Sequence, residues 1–282
     1  MSRHKHQQQP LRNAFERVLN AALLKGRLAG ISYRLGGLGR VRVTRRDVDL
    51  GQARRLAQPL RIGFASDFHA GPTTYPAVFD DLLAAIRAER PDVLLLGGDY
   101  VCFDAENVSA LADFFKGARA PLGTYAVVGN HDTWNGRGVI EDALRAGGVE
   151  VLVNRSVALA APFGRVSVCG IDDPWTGAPS ASATFAGAGD VRIYLMHSPG
   201  GLFCLQGERF DVGFAGHTHG GQIARPDGVP LFKASGPSSR QYSYGRYDLP
   251  DNGPLLVSCG VGCSGIPLRW NADPELLICT LR

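Results

Sequence analysis

The sequence predicts an α/β protein in which two packed β-sheets are flanked by α-helices. Three observations lead there. From about residue 40, short apolar runs alternate with amphipathic stretches of helical period. The second half carries more extended runs than helical ones, which a second sheet packed on the first accounts for. At 282 residues the chain can bury one large core, or at most two small ones.

In chain order, residues 1–10 are polar and Gln-rich with nothing to bury, so a disordered tail is expected. His4 and His6 lie in it as solvated side chains. Residues 11 to about 28 read as an amphipathic helix, with Leu11, Phe15, Val18 and Ala22 on one stripe. That stripe suits packing on the protein's own domain as well as it suits a membrane surface. Residues 1–39 are thus assigned to a tail and a basic helix, and residues 40–282 to the chemical domain. Arg61 to Ser66, Val93 to Leu96 and Tyr125 to Val128 read as buried strands. Helices are expected near Ala77 to Glu89, bounded by Pro76 and Pro91, then at Val108 to Lys116 and Val139 to Ala146. Further on, Val166 to Cys169, Val191 to Met196, Val212 to Ala215, Leu255 to Ser258 and Leu276 to Thr280 look extended. Residues 225–253, rich in Gly, Pro, Ser and Tyr, read as a long loop or hairpin.

Composition narrows the function classes. Hydrophobic residues at 45% and charged residues at 20% are ordinary for a soluble globular protein. No run approaches about 20 apolar residues, so no membrane span is expected. The only candidate signal core, Val18 to Leu24, is interrupted by Asn20 and followed by Lys25 and Arg27. A cytoplasmic location is therefore expected, with peripheral attachment to the inner face of the cell membrane. Net charge is +4, yet Arg and Lys crowd the first 61 residues. That asymmetry points to an anionic partner, a membrane surface ahead of nucleic acid, because no basic stripe interleaved with aromatics is present. The six cysteines form no CxxC pair and lie mostly in apolar runs. Buried free thiols are expected, with a thiolate zinc site at Cys259 and Cys263 as the lesser reading.

Five of the seven histidines fall in short motifs just after predicted strands. These are Asp67-Phe68-His69, Gly98-Asp99, Gly129-Asn130-His131-Asp132, His197 and Gly216-His217-Thr218-His219. Open α/β folds place their sites at such strand ends. In an extended segment, residues i and i+2 point the same way, so Asp67 with His69, and His217 with His219, can each face one ion. Mixed carboxylate and imidazole donors suit Mn, Fe or Zn. Singly each fragment is commonplace; the complete set at strand ends is not.

In order, the motifs resemble the pattern of the calcineurin-like metallophosphoesterase superfamily (DxH, GD, GNH followed by D or E, His, GHxH) over residues 61 to about 221. The resemblance implies a two-sheet sandwich flanked by helices and a centre of two divalent ions, manganese favoured. It implies that Asp67, His69, Asp99 and His219 hold one ion. Asp99, Asn130, His197 and His217 hold the other, with Asp99 bridging. His131 would lie beside the substrate phosphate, oriented by Asp132. Two such ions neutralise phosphate oxygens and supply an activated water near neutral pH.

GHTHGGQ at residues 216–222, with Gly260-Val261-Gly262, Pro267-Leu268-Arg269 and Pro274-Glu275, is similar to one bacterial subgroup. Its members are membrane-associated phosphodiesterases, some cleaving the pyrophosphate of a UDP-linked acylated glucosamine. The expected substrate is thus a phosphodiester or pyrophosphate, lipid-linked or nucleotide-linked. The alternatives are a soluble nucleotide phosphodiesterase, a phosphoprotein phosphatase and an inactive binding scaffold. Arg137, Arg225, Arg240 and Arg246 are candidates to meet a second phosphate, and Tyr242, Tyr244 and Tyr247 to grip a base or acyl chain. Residues 64–72, 96–103 and 128–136 hold no Arg or Lys, which fits a phosphate of lower charge than a monoester.

Overall fold

Alternation along the strands decides the layering. In β2 (Leu60–Ala65), Leu60, Ile62 and Phe64 join one buried cluster while Ala65 joins another. The same split recurs in β3 (Val93–Leu96) and β12 (Glu275–Leu281), where Val93, Leu95, Leu277 and Cys279 face inward with Ile62 and Phe64. Val166 and Val168 of β7 (Val166–Gly170), Ile193 of β8 (Val191–Leu195) and Phe214 of β9 (Val212–Ala215) meet them from a second sheet. A strand with side chains of period two must bury both faces when a sheet lies on one side and helices on the other. Phe64 and Phe214 touch across the sandwich with ring centroids 5.4 Å apart.

The computed structural model describes residues 18, 21–234 and 236–282. Its first sheet runs β1-β12-β2-β3-β4-β5, with β1 (Arg42–Val48), β4 (Thr124–Ala126) and β5 (Glu150–Val151). The second runs β10-β11-β9-β8-β7-β6, with β6 (Arg155–Ala158), β10 (Gly245–Tyr247) and β11 (Leu255–Val257). β2, β3 and β4 are mutually parallel, and so are β7, β8, β9 and β11. The expected sandwich flanked by helices is what forms.

Helix Ala77–Glu89 has the predicted bounds and buries Val78, Phe79, Leu82 and Ile86 against the outer face of the first sheet. It stops where Arg90 turns left-handed (φ 47) ahead of Pro91. The expected helix at Val108 to Lys116 is instead a 3₁₀ segment, Ala105–Leu111, followed by a short α-helix, Ala112–Gly117. Helix Arg137–Ala146 contains the third prediction. Within 225–253 lie a one-turn helix, Pro237–Gln241, and β10. β1 escaped notice because its sequence, RVTRRDV, is charged and it forms a sheet edge paired only to β12.

The tail 1–10 and half of the helix expected over 11–28 lie outside the described residues. Inside that span, Leu24 and Lys25 adopt φ 51 and interrupt the helical path. A separate helix, Arg27–Arg34, follows. Among the described residues no helix is long and apolar enough to cross a membrane.

Candidate metal centre

Each motif follows a strand, and the parallel arrangement brings their loops to one edge of the sandwich. The Asp67 amide donates to Gly98 O (2.8 Å) and the His69 amide to Asp99 O (3.0 Å), tying the loops after β2 and β3. The sheets are joined by the His217 amide, which donates to both Asp67 carboxylate oxygens at 3.0 Å. Gly216 donates to His197 O (2.8 Å), linking the loops after β8 and β9.

The loops are not extended, contrary to the i, i+2 argument. Asp67 (φ 56), His69 (φ 44), His217 (φ 69) and His219 (φ 54) are left-handed, as is Asp99 (φ 56). Each pair of ligands still converges, because the two left-handed residues flank a single intervening one. Glycine is required where loops nearly touch. A Cβ on Gly129 would lie 2.2 Å from Asp99 Oδ1, and one on Gly216 would lie 2.4 Å from Asp67 Oδ2.

Two donor clusters result. In the first, His69 Nε2 lies 3.0 Å from His219 Nε2 and 3.7 Å from Asp99 Oδ2, and His219 Nε2 lies 3.6 Å from Asp67 Oδ1. In the second, His197 Nε2 lies 3.3 Å from Asp99 Oδ2, 3.1 Å from Asn130 Oδ1 and 3.3 Å from His217 Nδ1. Asp99 faces both. His197 Nδ1 is 2.8 Å from Gly97 O, to which it donates when its proton is there, leaving Nε2 for the cluster.

The donors fit cations. Imidazole nitrogens face each other in both clusters, and a single proton cannot satisfy both lone pairs with the carboxylates around them. A divalent ion in each cluster would satisfy all of them. Burial, then neighbouring positive charge, holds His69 and His219 well below the ordinary histidine range and His217 at about 4. Burial alone would also depress His197, but Asp99 and then Asp67 raise it well above that range.

Around this core, His131 donates its amide to Asp99 Oδ1 (2.8 Å), with its ring 4.8 Å from that of His69 and 5.1 Å from that of Trp134. Asp132 does not face the cleft. Its oxygens accept from the amides of Asp99, Gly129 and Tyr100, each at 2.8 Å, so it locks the ligand loops together.

A cleft of about 420 Å³ opens over Asp99, Asn130, His131, His217 and His219. Its walls are Trp134, Trp175, Ile223, Phe232 and Ile266, and among the described residues its one Arg or Lys is Lys233. None of the four flagged arginines lines it. Arg137 pairs with Glu141 and Asp172, Arg225 with Asp227, and Arg246 with Asp248. The main chain of Arg240 accepts from Lys233. The tyrosines pack: Tyr242 and Tyr247 stack edge-on at 5.0 Å, and Tyr244 donates to buried Glu275.

Sequence reasoning missed Lys233 and both cleft tryptophans, and named Arg269 within a resemblance motif without a role. Trp134 stood four residues after Asn130, which was a usable signal; Lys233 carried none. Arg269 is 3% exposed and donates to the carbonyls of Cys259, Gly262 and Ala272, with Nη2 3.3 Å from His219 Nδ1. All six cysteines are free, and burial pushes the Cys259 thiol up to about 12. Cys259 and Cys263 join none of the candidate metal groups among the described residues.

Fold and site together define a metal-dependent hydrolase of phosphate esters. The chain belongs to the calcineurin-like phosphoesterase family, whose pattern matches residues 60–221. It is 34% identical over 233 residues to Phosphodiesterase YaeI of Escherichia coli (strain K12), covering 80% of this chain and 83% of that one. It is 26% identical over 300 residues to the UDP-2,3-diacylglucosamine pyrophosphatase LpxG of Chlamydia trachomatis serovar D, covering 86% and 89%. A 5'-nucleotidase precursor structure from Thermus thermophilus aligns with TM-score 0.48 and 16% identity, over 79% of this chain and 55% of that one.

Proposed function

We propose that the protein hydrolyses a phosphodiester or pyrophosphate bond in a lipid-linked or nucleotide-linked substrate at a membrane surface. Two divalent ions would be held by Asp67, His69, Asp99 and His219, and by Asp99, Asn130, His197 and His217. The observation that carries this reading is a pair of donor clusters sharing Asp99 beneath a largely apolar cleft that Lys233 lines. When bound, the ions supply charge neutralisation at phosphate oxygens and an activated water. Each ion would meet two oxygen and two imidazole donors, a set that suits manganese, iron or zinc, with manganese favoured for its taste for oxygen.

The chain's own groups do the rest. Asp132 fixes the loop bearing Asn130 and His131 against the backbone of Asp99. His131 lines the cleft beside the clusters, which supports a role in protonating the leaving oxygen. Trp134 and Trp175, beside His131 and His217 respectively, wall the cleft with flat apolar surface for a base or acyl chain. Lys233 can meet one further anionic oxygen, which a diester or pyrophosphate offers. The family relationship to a phosphodiesterase and, more distantly, a pyrophosphatase supports the same bond class.

The test is a comparison of kcat/KM on diesters, lipid-linked pyrophosphates in micelles and soluble monoesters, at matched metal concentrations. Diesters should exceed monoesters, and the lipid-linked pyrophosphate should exceed both. A clear preference for monoesters would overturn the bond assignment.

A further inference from the structure

The apolar wall of the cleft continues outward onto the surface. Ile223, in the wall, bridges to Trp270 on one side, and on the other its carbonyl accepts from the Leu231 amide (2.9 Å). Ile266 is tied to the same loop by Gln222, whose side chain donates to Ile266 O (3.0 Å). Leu268 reaches to within 3.5 Å of where a Cβ on Gly37 would stand, just past the end of helix Arg27–Arg34 and Leu35. The side chains along this path are bare: Leu35 is 82% exposed, Phe232 67%, Trp270 63% and Leu231 56%. Single exposed leucines need no explanation, but a connected set that runs from a substrate cleft to a helix does.

The helix end of the path is cationic, while the loop 223–232 carries the Arg225–Asp227 ion pair. Residues 21–40 carry Lys25, Arg27, Arg34 and Arg40 and no Asp or Glu. Exposed Trp, Phe and Leu among cations is the composition of a surface that enters the headgroup layer of an anionic bilayer. The competing occupants share the patch's own sign. A second copy would bring the same cations, and residues 1–20 bring Arg3, Lys5, Arg12 and Arg17 against one Glu.

We infer that this face is a bilayer-docking surface. The loops 223–232 and 264–270 enter an anionic lipid leaflet beside helix Arg27–Arg34, so that the cleft opens onto the headgroups. The inference rests on the proposed function for the role of the cleft and shares its membrane surface; the docking face itself is read from the exposed apolar path. It adds to the helix an insertion surface made by the rim of the site.

The test uses the full-length protein and vesicles of phosphatidylglycerol with phosphatidylethanolamine, with phosphatidylcholine vesicles as the neutral reference. Sedimentation should show binding to the anionic vesicles, weakened by salt. The double substitution Leu231→Ser with Trp270→Ser, at two exposed positions outside the cleft wall, should weaken that binding about tenfold or more by removing buried apolar area. Turnover of a water-soluble diester should be unchanged. Binding equal to the parent's would overturn the inference. In the unsubstituted chain, vesicles with brominated acyl chains should quench Trp270, read as the difference between parent and Trp270→Phe; no difference would also overturn it. So would faster hydrogen exchange of 223–232 and 264–270, before lipid is added, on diluting the protein or on deleting residues 1–20, since a second copy or the chain's own first residues would then cover the face. Loss of hydrolysis with binding intact would instead sink only the proposed function.

Discussion

Asp67, His69, Asp99, His217 and His219 all have φ between 44° and 69°, a region L-residues enter rarely. Each such residue costs about 1–3 kcal/mol, and the cost persists only where surrounding structure fixes it. Here that structure is the mesh of amides and carboxylates between loops, so strain and ligand placement have one cause. His131 is different: its amide holds the Asp99 carboxylate, while its ring lies on the cleft wall. His131→Ala keeps the amide and removes the ring, so it should lower turnover about 10²–10⁴-fold, the usual scale for a positioned acid or base. Its metal content should match the parent's. Full turnover on a substrate with a poor leaving group would remove His131 from the chemistry.

At the scale of elements, the loops after β3 and β4 are held by one side chain. Asp132 is fully buried and accepts three amides, which lose their acceptor when it is truncated. Asp132→Ala should destabilise the fold by about 3–5 kcal/mol, since each unsatisfied buried donor costs about 1–3 kcal/mol. Asp132→Asn keeps one acceptor oxygen and should fall between. Urea unfolding of the three proteins measures this, and an alanine variant within experimental error of the parent would show that the loops hold themselves. The same scale explains what could be read in advance. Helix Ala77–Glu89 was legible because prolines bracket it and its apolar stripe is regular. The Asn130–Asn135 helix was not, because its residues are chosen for ligation and loop closure rather than for an apolar face.

Across the whole molecule, the donor clusters draw on both sheets: Asp67, His69, Asp99 and Asn130 from the first, His197, His217 and His219 from the second. Ions bound there would clamp the sandwich at one edge. Removing them with a chelator should lower the unfolding temperature by roughly 2–4 °C for each kcal/mol of binding free energy withdrawn. Uptake should also release about one proton per chain near neutral pH, because ligation requires unprotonated imidazole. The proton comes from His197, whose pKa is raised by Asp99 and Asp67 despite burial. In the metal-free protein, that raised pKa contributes stability below the unfolded histidine pKa, lost as pH rises through the folded value. Calorimetric titration in buffers of different ionisation enthalpy reads the release; none at neutral pH would show that His197 enters unprotonated.

The sequence alone determined the two-sheet architecture, the strands that end at the motifs and the identity of the metal-ligand candidates. The strands and motifs follow from local properties: apolar period, proline and glycine punctuation, and rare residue types at fixed spacing; the full ligand set is what the resemblance of those motifs implies. Tertiary structure decided the left-handed turns at the ligands, the amides of Asp99, Tyr100 and Gly129 that Asp132 accepts from, and the pairing of Arg137, Arg225 and Arg246 away from the site. It also decided that Lys233, Trp134 and Trp175 wall the cleft. These depend on which loops of different strands come together at one edge. No period or spacing within a single segment encodes that meeting, because partners such as Asp67 and His217 lie 150 residues apart.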